Sequence, residues 1–69
     1  MKWYKRPSVS PGGKVYFWHG RANEHHYWVV WDRQKRKWAV EIDGPRNQVI
    51  TLGYFATVAQ GKKFVEKGA

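Results

Sequence analysis

The sequence predicts an α+β fold: a three-stranded antiparallel β-meander packed on one C-terminal α-helix, with a fourth short N-terminal strand as an option over 14–18. Three observations carry this. Lys37, Trp38, Ala39, Val40, Glu41 and Ile42 alternate polar and apolar with period two. Aromatic and β-branched runs lie before and after them, at 27–31 and 49–55, joined by short polar connections such as link antiparallel neighbours. Beyond Thr57, a residue type that caps helices, the apolar spacing becomes helical.

Taken in order, residues 1–13 read as a basic, Pro/Gly-rich N-terminal arm, because Pro7, Pro11, Gly12 and Gly13 disfavour a regular element and 11–13 reads as a tight turn. Residues 14–69 then form the single sheet-plus-helix domain. The mixture of His, Gly, Asn and Glu over 19–25 reads as a loop. In the run 27–31, Trp28 and Trp31 are three residues apart and face opposite ways, one to the core and one to solvent. Residues 32–36 form a polar connection. The next strand turns Trp38, Val40 and Ile42 inward and Lys37, Ala39 and Glu41 outward. Asp43, Gly44, Pro45, Arg46 and Asn47 make a turn. The last strand places Ile50, Leu52 and Tyr54 on one face and Val49, Thr51 and Gly53 on the other. A helix over 58–67 buries Val58, Ala59, Gly61, Phe64 and Val65 against the sheet and leaves the opposite sheet face open. Gly61 costs about 1 kcal/mol against alanine inside a helix, which is tolerable where helix and sheet must approach closely.

Composition narrows the function. The 69 residues carry thirteen Lys and Arg against five Asp and Glu, a formal charge of +8, and five tryptophans. So short a chain cannot bury every tryptophan, and without cysteine it has no disulfide or thiolate metal site to staple it. Large aromatics therefore serve the core, while those left at the surface lie among cations. Positive groups beside flat rings suit a polyanion with bases to pack against. No apolar run marks a leader or a membrane span, so a cytoplasmic or nucleoid-associated protein is expected. Catalysis finds little support. No cysteine nucleophile or suitably spaced carboxylate pair is present, and the run 11–14 lacks phosphate-loop spacing. No cofactor is implied. His19, His25, His26 and Glu24 form no tetrahedral ligand set in sequence, since adjacent histidines diverge on an extended chain.

Residues 27–69 resemble the AP2/ERF DNA-binding domain, known from plant transcription factors and from phage and mobile-element proteins. The residues that carry the resemblance are Lys37, Trp38, Ala39, Val40, Glu41 and Ile42, then Leu52, Gly53, Tyr54 and Phe55, and then Ala56, Thr57, Val58 and Ala59 entering the helix. The chain is also similar, more loosely, to the three-stranded arm-type DNA-binding domains of tyrosine integrases. The resemblance implies a helix behind a sheet whose open face enters the DNA major groove, with contacts from Arg33, Lys37 and Glu41. Trp28 and Trp31 stand where the family has arginines, and so do Asp43 and Val49. Lys35 and Thr51 stand where it has tryptophans, so the contacts differ in kind.

The candidate nucleic-acid-binding residues are accordingly Arg33, Lys35, Arg36, Lys37, Glu41, Thr51, Trp28 and Trp31, with Lys5 and Arg6 on the arm. Duplex DNA is the expected partner of a small regulatory or accessory factor of a phage or mobile element. An acidic protein surface bound through the Trp-rich sheet is the alternative, and RNA a third. The oligomeric state is open.

Overall fold

The computed structural model describes residues 1–10 and 13–68. Five antiparallel strands follow one another in a simple meander: β1 (Trp3–Ser10), β2 (Gly13–Ala22), β3 (His25–Asp32), β4 (Lys37–Asp43) and β5 (Val49–Phe55). A 3-10 turn (Pro45–Asn47) joins β4 to β5, and one helix, α1 (Val58–Gly68), crosses one face of the sheet over β3, β4 and β5. The α+β class, the antiparallel meander and the C-terminal helix match expectation. The strand number does not: the described residues form five, not three or four.

Two segments account for the extra strands. The segment taken as an arm is β1, paired with β2 from Trp3↔Gly20 to Ser10↔Gly13. Pro7 is compatible because β1 is an edge strand, where a missing N–H need break no ladder bond. The expected turn at Pro11 and Gly12 lies outside the described residues. The segment read as a loop over 19–25 is the β2–β3 hairpin. Its turn needs only Asn23 and Glu24, with φ of 51° and 66°. Positive φ at both central residues is the type I′ geometry that matches strand twist. Asn favours that geometry. Glu hides it, because a glycine at the second position is the usual signal.

The core lies between α1 and the centre of the sheet. Val29 and Val40, paired across β3 and β4, are fully buried beneath Gly61 and Val65 of α1. Trp3, Trp18, Tyr27, Trp38, Phe55 and Val58 pack around them. A Cβ on Gly61 would stand 3.1 Å from Val40 Cγ2 and 3.3 Å from Val29 Cγ1, so the glycine sets how close helix and sheet lie. The Thr57 hydroxyl accepts the Gln60 N–H at 3.2 Å, and the Gln60 side chain reaches back to the Ala56 N–H at 3.1 Å, closing the helix start much as a capping box does. Of the expected helix stripe, Gly61 and Val65 are buried and Val58 half-buried, whereas Ala59 and Phe64 are exposed. The contact stripe is narrower than an apolar tally suggests.

A bulge in β5 corrects a second expectation. Val40 pairs with Gly53 but Glu41 with Thr51, leaving Leu52 as the extra residue. Tyr54, read on one face with Ile50 and Leu52, instead pairs with Ala39 on the opposite, open face.

Candidate nucleic-acid interface

The face turned away from α1 is fixed by strand register. Tyr4 pairs with His19, His19 with Trp28, Trp28 with Glu41 and Glu41 with Thr51, so one transverse row crosses all five strands. On the same face Arg6 pairs with Phe17, Arg21 with His26, Val30 with Ala39, and Ala39 with Tyr54. Ala39 points outward as expected but is buried between its larger neighbours, giving the centre of the face a low floor.

Aromatic rings order this surface. His19 Nε2 and His26 Nδ1 lie 2.8 Å apart, and the two rings are nearly parallel at 5.0 Å between centroids. The Trp28 indole continues the stack, 5.7 Å from His19 and 6.1 Å from His26. Burial holds the His19 imidazole below its ordinary pKa, helped by His26 and Arg6. Burial pushes the Glu41 carboxyl up, helped by the like charge of Asp32. At Asp43, partial burial raises the pKa, but the His26 N–H at 3.0 Å, the His25 ring at 3.2 Å and the nearby imidazoles together bring it below the usual value. Among the described residues, no three His, Asp or Glu side chains converge as a metal site.

The basic turn stands at one end of this face. Asp32 Oδ1 accepts the N–H groups of Gln34 and Lys35, at 2.9 and 3.0 Å, and so shapes the connection. Arg36 takes φ of 52° before β4 begins. Arg33, Lys35, Arg36 and Lys37 are all exposed, and the Lys35 ammonium lies 5.0 Å over the Tyr54 ring, folding the turn toward the open face.

The structure thus brings together Trp28, Glu41, Thr51, Lys37, Lys35 and Arg6, with Arg33 and Arg36 at the rim. It separates Trp31 and Lys5 from them. Trp31 pairs with Trp38 on the helix side and makes a tilted edge contact with it at 5.4 Å. It remains 39% exposed, because it is not among the rings packed on the core, so the expected split of one buried and one exposed tryptophan fails while the split of faces holds. Lys5 also lies on the helix side, its ammonium 5.9 Å from the Trp18 ring. α1 also engages Trp18: Lys62 Nζ lies 3.4 Å from the centre of that ring. Trp3 covers Gly20 and donates its indole N–H to Glu66 at 3.0 Å, which fastens β1 to α1.

Tyr4, Phe17, His19, Arg21 and His26 belong to the face and were missed by sequence reading. Period-two alternation carried back through 17–21 is the signal that finds Phe17, His19 and Arg21, once Asn23 and Glu24 are recognised as a two-residue turn. No helix among the described residues is long and apolar enough to cross a membrane. Compared with known protein families, curated proteins and solved structures, the chain matches none.

Proposed function

We propose that this chain is a non-enzymatic protein that binds duplex DNA with its open sheet face. The observation that carries the reading is the unobstructed face itself: a five-residue row with a basic turn at one end and α1 on the far side. Five strands at ~4.8 Å spacing span about 20 Å, against a major groove about 12 Å wide. The whole sheet is too broad to enter flat. The β3–β4 ribbon and its turn fit, with β1, β2 and β5 riding over the flanking backbones. Arg33, Lys35 and Arg36 then meet phosphate at one end, and Arg6 and Arg21 meet it from the β1–β2 side. Lys37, Glu41 and Thr51 supply base-edge contacts: a lysine donates to guanine O6 and N7, a carboxylate accepts from cytosine N4, and a hydroxyl does either. The AP2/ERF resemblance supports this arrangement through its helix-behind-sheet order. Two strands more than that family's sheet widen the contact beyond one groove.

A second reading, single-stranded nucleic acid, is favoured by the stack of His19, His26 and Trp28, since flat rings on a sheet also receive unpaired bases.

Fluorescence anisotropy with labelled duplex DNA, single-stranded DNA and RNA at several salt concentrations tests the proposal. Four to six phosphates engaged by these cations give a log–log salt slope of roughly −4 to −5 on duplex. Arg33→Ala should weaken binding to all sequences and reduce that slope by about 1. Tighter binding to single strands selects the second reading. No binding to any nucleic acid at low salt sinks both and redirects the search to an acidic protein surface.

A further inference from the structure

Strand β5 ends the sheet, with β4 on one side and, among the described residues, no strand on the other. An edge strand offers a row of free N–H and C=O groups, and proteins usually blunt it with charge or proline. The two edges of this sheet differ in that respect. β1 carries Lys5, Arg6 and Pro7. β5 carries none of these, and residues 47–61 hold no charged residue and no proline in a chain of +8. Val49, Ile50, Leu52 and Tyr54 of β5, with Phe64 of α1 beside them, make up five of the eight exposed large hydrophobics among the described residues. A groove of about 360 Å³ lies between β5 and α1, lined by Tyr27, Leu52, Phe64, Val65, Lys67 and Gly68.

We propose that the β5 edge is an interface for a second copy of this chain, the two β5 strands pairing antiparallel about a two-fold axis. Three features select a second copy as the occupant. Antiparallel pairing of a strand with its own copy is self-complementary, which is the condition for a two-fold interface. The neutral stretch is where two strongly cationic chains meet with no opposed charges along the paired strands. Pairing also consumes both β5 edges and leaves only the β1 edges, guarded by Lys5, Arg6 and Pro7, so assembly closes at two. Ile50, Leu52 and Phe64 become covered on the helix side, and Val49 and Tyr54 on the open side.

An axis normal to the sheet keeps both open faces on one side and both helices on the other. The inference stands on the β5 edge alone. If the nucleic-acid reading also holds, the open face is doubled and its preferred sites acquire two-fold symmetry. The two ideas respond oppositely to salt. Lys63 and Lys67 of α1 flank Phe64, so screening between copies strengthens the dimer, whereas salt weakens phosphate contact.

Sedimentation equilibrium of the full chain without nucleic acid, at low and high salt, tests the interface. The expected result is a mass that rises with concentration from 8.2 kDa to twice that value and no further, at lower concentration in high salt. Leu52→Lys should raise the dimer dissociation constant at least about tenfold while circular dichroism shows the fold retained. The absence of cysteine allows a second, independent arm. Single cysteines introduced in turn from Val49 to Tyr54 should cross-link as dimers on oxidation only where the two-fold axis brings a position to its own copy, and Lys2→Cys beside β1 should not. A monomer at every concentration up to ~1 mM overturns the proposal. So does growth past two copies, undiminished association of folded Leu52→Lys, or cross-linking through Lys2→Cys in place of the β5 positions.

Discussion

Glu41 has the environment least suited to its charge. Its carboxyl is half-buried in the centre of the open face between Trp28 and Thr51, and it accepts no hydrogen bond among the described residues. Desolvation and the nearby Asp32 both favour its protonated form. A carboxyl whose folded pKa lies above the unfolded value stabilises the fold fully below the unfolded value, about 4.3, and loses that contribution as pH rises through the folded one. At neutral pH the ionised group therefore opposes folding. Glu41→Gln should be more stable than the parent at pH 7 by about 0.5 kcal/mol, a modest figure because water still reaches the group. The gap should close as pH falls below ~4, where both side chains are neutral. Urea unfolding at the two pH values checks this, and an equal gap at both would assign the effect to packing. On the proposed duplex-DNA reading this carboxylate is a base-edge acceptor, and the same variant should bind duplex DNA with relaxed sequence preference.

At the scale of elements, α1 is governed by one close approach. Alanine at position 61 would gain about 1 kcal/mol of helix propensity. The added Cβ would press on Val40 and Val29 at 3.1 and 3.3 Å, and both are fully buried and stiff at χ1. Overpacking costs typically ~1–3 kcal/mol, so Gly61→Ala should destabilise the protein by about 1 kcal/mol net. A rise in melting temperature would mean that the helix slides outward without loss. This helix was legible in the sequence, through Thr57 and the apolar spacing, and so were β4 and its inward Trp38, Val40 and Ile42. Each is specified by local pattern. The centre of β3 at 27–31 and β5 over 49–55 were legible too, whereas β1, the β2–β3 hairpin and the β5 bulge were hidden for identifiable reasons. Pro7 masked β1 because an edge strand tolerates what a central strand does not. Glu24 masked the β2–β3 hairpin because its αL residue is not glycine. The β5 bulge is a property of pairing, and no period within 49–55 announces that Tyr54 changes face. The open face was consequently read at three strands' width, with Glu41, Thr51 and Lys37 in place and the β2 contribution absent.

Across the whole molecule, the open face couples stability to charge through His19. Its ring shares one short N–N contact with His26, stacks on Trp28, pairs across the sheet with Tyr4 and has Arg6 nearby. A bond between two imidazoles needs one nitrogen without a proton, so charging both rings breaks it. A histidine whose folded pKa lies below its unfolded value stabilises the fold fully above about 6.5 and loses that contribution as pH falls through the folded value. Thermal stability should therefore decline from pH 7.5 toward 5.5. His19→Gln, which remains neutral, should flatten that decline. Added positive charge on the open face acts the other way on an anionic ligand. On the proposed duplex-DNA reading, binding should tighten over the same interval even as the fold weakens, and the tightening should shrink in His19→Gln. Melting curves and anisotropy titrations at matched ionic strength read the two trends separately. Binding that weakens together with the melting temperature would place the ligand away from this face. Opposite trends in the parent, both diminished by His19→Gln, would place it on the row from Tyr4 to Thr51.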